Sequence, residues 1–239
     1  MRITAILVLL ASCQSDHQTT PDTPAQSQLG GLTVTIQAAH RRMHDRFGAA
    51  RQIEYAIARG DLRGATMNAH VIAELDEPGF LPAWQPYIAS VRDAAHQIEL
   101  AADLDTAGIR IGTLGLRCAQ CHEALGAKLT LPDVPRPSTN AILASQMVDH
   151  QWAAMRMWEG LIASSTRRWQ EGSQALTTIP LDMVAQAVTP SSQGDVDDVA
   201  RVRMLANRAP GAKTDAARAD LFGTLLGTCA HCHAQLRDR

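Results

Sequence analysis

The chain has 239 residues, of which 46% are hydrophobic and 19% charged, enough apolar surface for a folded core and too little charge for a disordered chain. A net charge of -2, without a basic run or an Arg/Lys stripe, excludes a surface built for nucleic acid. Only 4% of residues are aromatic, so a core made from this chain alone consists of Ala, Leu, Ile, Val and Met, with few large flat groups.

The chain opens with Arg2, a short apolar stretch from Ile3 to Leu10 and small residues before Cys13, which is the layout of an export signal. That stretch is too short to span a bilayer as a helix. Leu10-Ala11-Ser12-Cys13 resembles a bacterial lipobox. The resemblance implies cleavage after residue 12, acylation of Cys13, and a mature chain exported and anchored by lipid on the periplasmic side of a bacterial membrane. The alternative is a conventional signal peptide with a free Cys13. Gln14, rather than aspartate, resembles the sorting pattern of outer-membrane lipoproteins and favours the outer membrane. Residues 13–31 are rich in Gln, Ser, Thr, Pro and Asp and read as a flexible tether.

From Leu32 onward, apolar residues recur at helical spacing and strand alternation is absent over useful lengths, so the expected fold class is all-α. The pattern predicts helices near 32–59, 62–75, 83–102 and 106–125, broken at Gly60-Asp61 and at Pro78-Gly79. Residues 128–138, with Pro132, Pro135 and Pro137, read as a linker. Further helices are predicted near 139–164, 167–176, 196–207 and 214–236, with an extra turn at 181–187. Asp61, Asp105 and Asp215 suit helix starts, where a carboxylate accepts from free backbone amides. The organisation expected is two consecutive four-helix bundles, 32–127 and 139–239.

The two segments look like one module used twice. Met43, Ala49, Ala50 and Ile57 match Met147, Ala153, Ala154 and Leu161 at an offset of 104 residues. Near their ends the segments repeat a motif at an offset of 111, Cys118-Ala119-Gln120-Cys121-His122 and Cys229-Ala230-His231-Cys232-His233. Positions i, i+3 and i+4 share one face of a helix, so both thiols and the histidine of each motif point the same way. Two thiols so placed can form thioethers to the vinyl groups of one haem, with His122 or His233 reaching the iron from the proximal side. CxxCH is accordingly read as covalent haem c attachment, and two motifs imply two haems. A thioredoxin-like redox pair needs a strand-helix context, and a zinc site would have to draw both CxxC pairs together.

Only six residues follow the second motif. A cytochrome whose motif opens the domain cannot be built from them, so in each half the helices precede the motif. This arrangement resembles the class II cytochromes c, the cytochrome c prime group, over roughly 32–236 in two copies. The resemblance implies four-helix bundles with CxxCH on the last helix and a distal position filled from the first helix. Methionine there implies a six-coordinate electron carrier; an apolar residue leaves the iron open to small gases.

Met43 and Met147 are the favoured distal ligands, with His44 and His150 as alternatives and His40 a further competitor. Thioether ligation opposite histidine raises the haem potential and suits electron transfer. The expected function is a one-electron carrier with redox protein partners in the cell envelope. Haem-based binding of nitric oxide or carbon monoxide is the alternative, and a peroxidase is disfavoured for want of distal acid-base groups. His70, His96 and His231 read as surface or satisfied histidines, Trp152, Trp158 and Trp169 as packing groups, and 195–198 as a solvated helix start.

Overall fold

The structure, a computed structural model, describes residues 24–75, 81–138, 140, 142–180 and 193–237, with side chains described for 37–75, 81–138, 140, 142–180 and 198–234. Cys13, the export signal and the turn expected at 181–187 lie outside them. The chain is all-α. Its helices are α1 (Pro24–Ala58), α2 (Leu62–Ala73), α3 (Gln85–Glu99), α4 (Leu104–Ala124), α5 (Leu143–Ile162), α6 (Thr166–Thr178), α7 (Gln193–Arg208) and α8 (Asp215–Arg237). Helix α1 starts eight residues before the expected boundary at Leu32, so 24–31 are helical rather than an irregular tether. Among the described residues no helix is long and apolar enough to cross a membrane.

The helix boundaries follow from local chemistry. Asp61 accepts from the Gly64 amide at 2.8 Å and starts α2. Asp103, not Asp105, caps α4 by accepting from Thr106 N at 2.6 Å, and Asp105 falls in the first turn. Ser165 caps α6, and Thr214 accepts from Ala217 N at the start of α8. Helices α1 and α5 end in the same way. At α1, Gly60 has φ +74°, its amide donates to Ile57 O and the Asp61 amide donates to Ala56 O. At α5, Ser164 has φ +47°, its amide donates to Leu161 O and the Ser165 amide donates to Gly160 O. These are Schellman turns, in which the left-handed residue turns the backbone back on its own carbonyls. They recur at the 104-residue offset, which extends the repeat from sequence into backbone geometry.

Residues 39–239 form one compact unit, and 1–38 a separate one. The stretch 128–138, expected as a linker between two bundles, lies within the 39–239 unit. Helix α4 packs along α8, α5 along α6, and α3 on both α2 and α4. One continuous core joins Ile53 and Ile57 of α1, Ile111 and Leu114 of α4, Trp158 and Leu161 of α5, and Phe222 and Leu225 of α8. The Trp158 and Phe222 rings meet at 5.7 Å.

Glycine makes the α4–α8 crossing. A methyl group on Gly108 would lie 2.7 Å from Gly223 O, one on Gly223 would lie 2.6 Å from Gly108 O, and one on Gly112 would overlap Ala219 O. The 108–223 and 112–219 contacts exchange with each other at the motif offset, so the crossing is a pseudo-twofold contact between the two repeats. Backbones approach this closely only where side chains are absent, and a core poor in aromatics gains dispersion contacts by it.

The stretch 131–136 is held by buried cations. Arg156 and Arg168 share the Glu159 carboxylate, at 2.9 Å from Arg156, in a site closed to water. Arg168 also donates to Leu131 O and Pro132 O, and Arg156 to Asp133 and Val134 O. Arg136 grips buried Asp149 with two hydrogen bonds of 2.8 and 2.6 Å. Trp152 donates to Val134 O at 3.0 Å. The three tryptophans are thus framework: Trp158 and Trp169 are fully buried, and Trp169 donates to Ala209 O.

The crossing predicts opposite outcomes for two glycine-to-alanine changes. Gly112→Ala forces α4 and α8 apart and lowers stability by about 1–3 kcal/mol. Gly48→Ala, at an exposed helical site with open space around it, raises stability by roughly 0.5–1 kcal/mol. Urea unfolding followed by circular dichroism measures both.

Candidate functional site

Both motifs sit inside helices near their C-terminal ends, Cys118 to His122 on α4 and Cys229 to His233 on α8. Cys121 and Cys229 are buried, and Cys118, Cys232, His122 and His233 are half-buried. The four cysteines are unbridged. Burial pushes the Cys118 and Cys229 thiols up to about 12, reinforced in each case by the companion cysteine of the motif. Reactive redox dithiols show the reverse shift at helix N-termini, where the dipole favours thiolate. Among the described residues no group of three His, Cys, Asp or Glu side chains gathers into a metal-holding cluster, so the two CxxC pairs do not converge on one zinc site.

The two motif histidines are oriented by the same device. His122 Nδ1 lies 3.0 Å from Ile162 O, and His233 Nδ1 bonds Ala58 O. A carbonyl only accepts, so Nδ1 is the donor in both rings, and Nε2 is the nitrogen left for another partner. Ligating histidines are characteristically fixed in this way, with the second nitrogen tied to a carbonyl or carboxylate. Ala58 and Ile162 end α1 and α5, where carbonyls have no partner within the helix and the Schellman turns satisfy only those that precede. They are also 104 residues apart. Each motif's histidine is thus held by the first helix of the other half, an exchange that sequence reading did not anticipate. Burial, chiefly, lowers the His233 pKa and favours its neutral form, with Arg59 adding to the effect and the Ala58 hydrogen bond opposing it.

The distal candidates divide. His40 and His44 are exposed, so neither turns into the core. Met43 is half-buried against Ala39, Ile88 and Trp84, and Met147 packs half-buried on the main core. His150 is half-buried overall, yet its Nε2 is sealed from solvent and has no hydrogen-bond partner. Burial drives its pKa down to about 4, and nearby His233 disfavours its charge further, while Asp149 opposes both. His150 thus offers a neutral imidazole with an unsatisfied buried nitrogen near the second motif's histidine.

Three residues important to these sites escaped sequence reading. Arg46 is buried, and its charge reaches Cys118 and Cys121. The 104-residue offset that pairs Met43 with Met147 also pairs Arg46 with His150, and was the available signal. Asp198 is buried and binds His231 at 2.6 Å, correcting the expectation of a solvated helix start at that residue. Glu54 is buried near Cys229, with Arg51 3.3 Å away in an ion pair that makes no aligned hydrogen bond. His70 and His96 behave as expected, both meeting Glu99 at the surface.

No family model, curated protein or solved structure matches the chain.

Burial raises the Glu54 pKa from 4.5 to about 7, with Arg51 pulling it down and Glu159 pushing it up. Folded protein therefore holds this proton through a range where the unfolded chain has lost it, and stability falls as pH rises from about 4.5 to about 7. Glu54→Gln removes that dependence and raises stability above pH 7 by up to about 3 kcal/mol. Chemical denaturation of both proteins at pH 5 and pH 8 reads the difference.

Proposed function

We propose that the chain is a two-haem c-type cytochrome that carries single electrons in the cell envelope, anchored by lipid at Cys13 to a bacterial membrane facing the periplasm. The observation that carries this reading is the paired orientation of His122 and His233. In each motif the thiols and the histidine share one helical face, and a carbonyl from the other repeat fixes the ring through Nδ1, leaving Nε2 for a metal.

Cys118 and Cys121 would hold one haem and Cys229 and Cys232 the other. Each thiol adds across a vinyl group, sulfur to one carbon and its proton to the other, so attachment consumes no oxidant and needs the free thiols present here. Bound haem supplies the one-electron iron couple. The chain's part would be to orient the motif histidines through Ala58 O and Ile162 O, and to keep water from Cys121 and Cys229, the buried cysteine of each pair. Histidines held in fixed orientation cost little reorganisation when charge changes beside them. The tandem arrangement and the C-terminal place of each motif support a likeness to class II cytochromes, with redox proteins as partners.

Intact mass of the mature protein tests the reading directly, since two haems and an acylated Cys13 add separate increments. Replacing Cys118 and Cys121 with serine halves the haem content, and Cys13→Ser moves the protein from the membrane to the soluble fraction. A mature chain without haem ends the proposal. Rapid carbon monoxide binding at both reduced haems would replace the carrier with a gas-binding protein.

A further inference from the structure

The two repeats share turn geometry at the ends of their first helices and differ at a buried position close to the motifs. Met43 and Met147 correspond, as do the Schellman turns and the Ala58 and Ile162 carbonyls. Three residues after each methionine, on the same helical face, the first repeat has Arg46 and the second His150. Both turn inward. Arg46 is buried with its charge felt at Cys118 and Cys121, and its Nη1 lies 4.0 Å from Met43 Sδ. His150 buries an Nε2 with no partner, near His233 across the α5–α8 contact.

We infer that the two haem sites are chemically unequal: His150 is the sixth ligand opposite His233, whereas the first site places the fixed cation of Arg46 at the matched position and leaves ligation there to Met43. This rests on haem attachment at both motifs. Three physical points carry it. An imidazole nitrogen sealed from water without a partner loses the hydrogen bonding it would have in solvent, and a metal bond restores that loss. A guanidinium has no lone pair and stays protonated, so it cannot replace the imidazole as a ligand. Met147 packs on the main core and its sulfur has no need of a polar partner, so it is filler in the second repeat.

The inequality has a direction. Thioether ligation raises a haem potential relative to bis-histidine ligation, and a buried positive charge beside the haem favours the reduced iron, which carries one positive charge fewer. Both effects act on the first site. Its haem accepts the first electron, and within the protein electrons run from the His233 haem to the His122 haem.

The test uses the full-length protein with both haems attached. Electron paramagnetic resonance and near-infrared spectra of the oxidised protein should show one bis-histidine and one histidine-methionine haem, and a redox titration should resolve two steps. His150→Ala should turn half of the haem high-spin and open to carbon monoxide, and added imidazole should restore its low-spin spectrum. Met147→Leu should leave both spectra unchanged. Arg46→Gln should lower the higher potential and leave the lower one in place. The assignment is overturned if His150→Ala keeps both irons low-spin, or if Met147→Leu opens one of them. Protein that carries no haem in the intact mass refutes the cytochrome reading itself, an outcome distinct from either.

Discussion

The arrangement of both candidate sites depends on how closely α4 approaches α8. Gly108, Gly112, Ala219 and Gly223 let the two backbones touch, and a single larger side chain at this crossing separates them. Because the contact is symmetric between the repeats, it sets both motif helices at once. Each motif's histidine then lies beneath the C-terminus of the other repeat's first helix, where the Ala58 and Ile162 carbonyls await a donor. Neither repeat alone contains a complete site. Hydrogen bonding at the histidines and packing at the glycines are therefore two expressions of one constraint.

A second layer fixes α5, which supplies both the Ile162 carbonyl and His150. Its buried Arg156, Asp149 and Glu159 are bound to Arg168 of α6 and to the stretch 131–136. Buried ion pairs of this kind yield little net stability against an apolar equivalent, because desolvation offsets most of the attraction. They do impose direction: an arginine fork on backbone carbonyls leaves the connecting stretch one path. The stretch between repeats thus behaves as a strap, and the angle of α5 against α4 and α8 follows from it.

The repeats keep some features and change others. Helix ends, turn geometry and the proximal hydrogen bond are kept, while one buried position holds arginine in the first repeat and histidine in the second. Glu54 adds a buried acid on the side of the second motif, close to Cys229.

The all-α class, the helix order and the two CxxCH faces were legible in the sequence, because helical periodicity and i, i+3, i+4 spacing are local properties that survive any tertiary arrangement. Asp61 as a helix start and the surface character of His70 and His96 were legible for the same reason. Sequence also showed a repeat, and its 104-residue offset already paired Arg46 with His150. It did not show that the repeats interlock. That depends on which glycines face each other across helices more than a hundred residues apart, a matter of packing between distant segments. The exposure of His44, the sealed Nε2 of His150 and the holding of the proline-rich stretch as a strap were likewise decided only in three dimensions, where burial determines which polar atoms lack water and must find another partner.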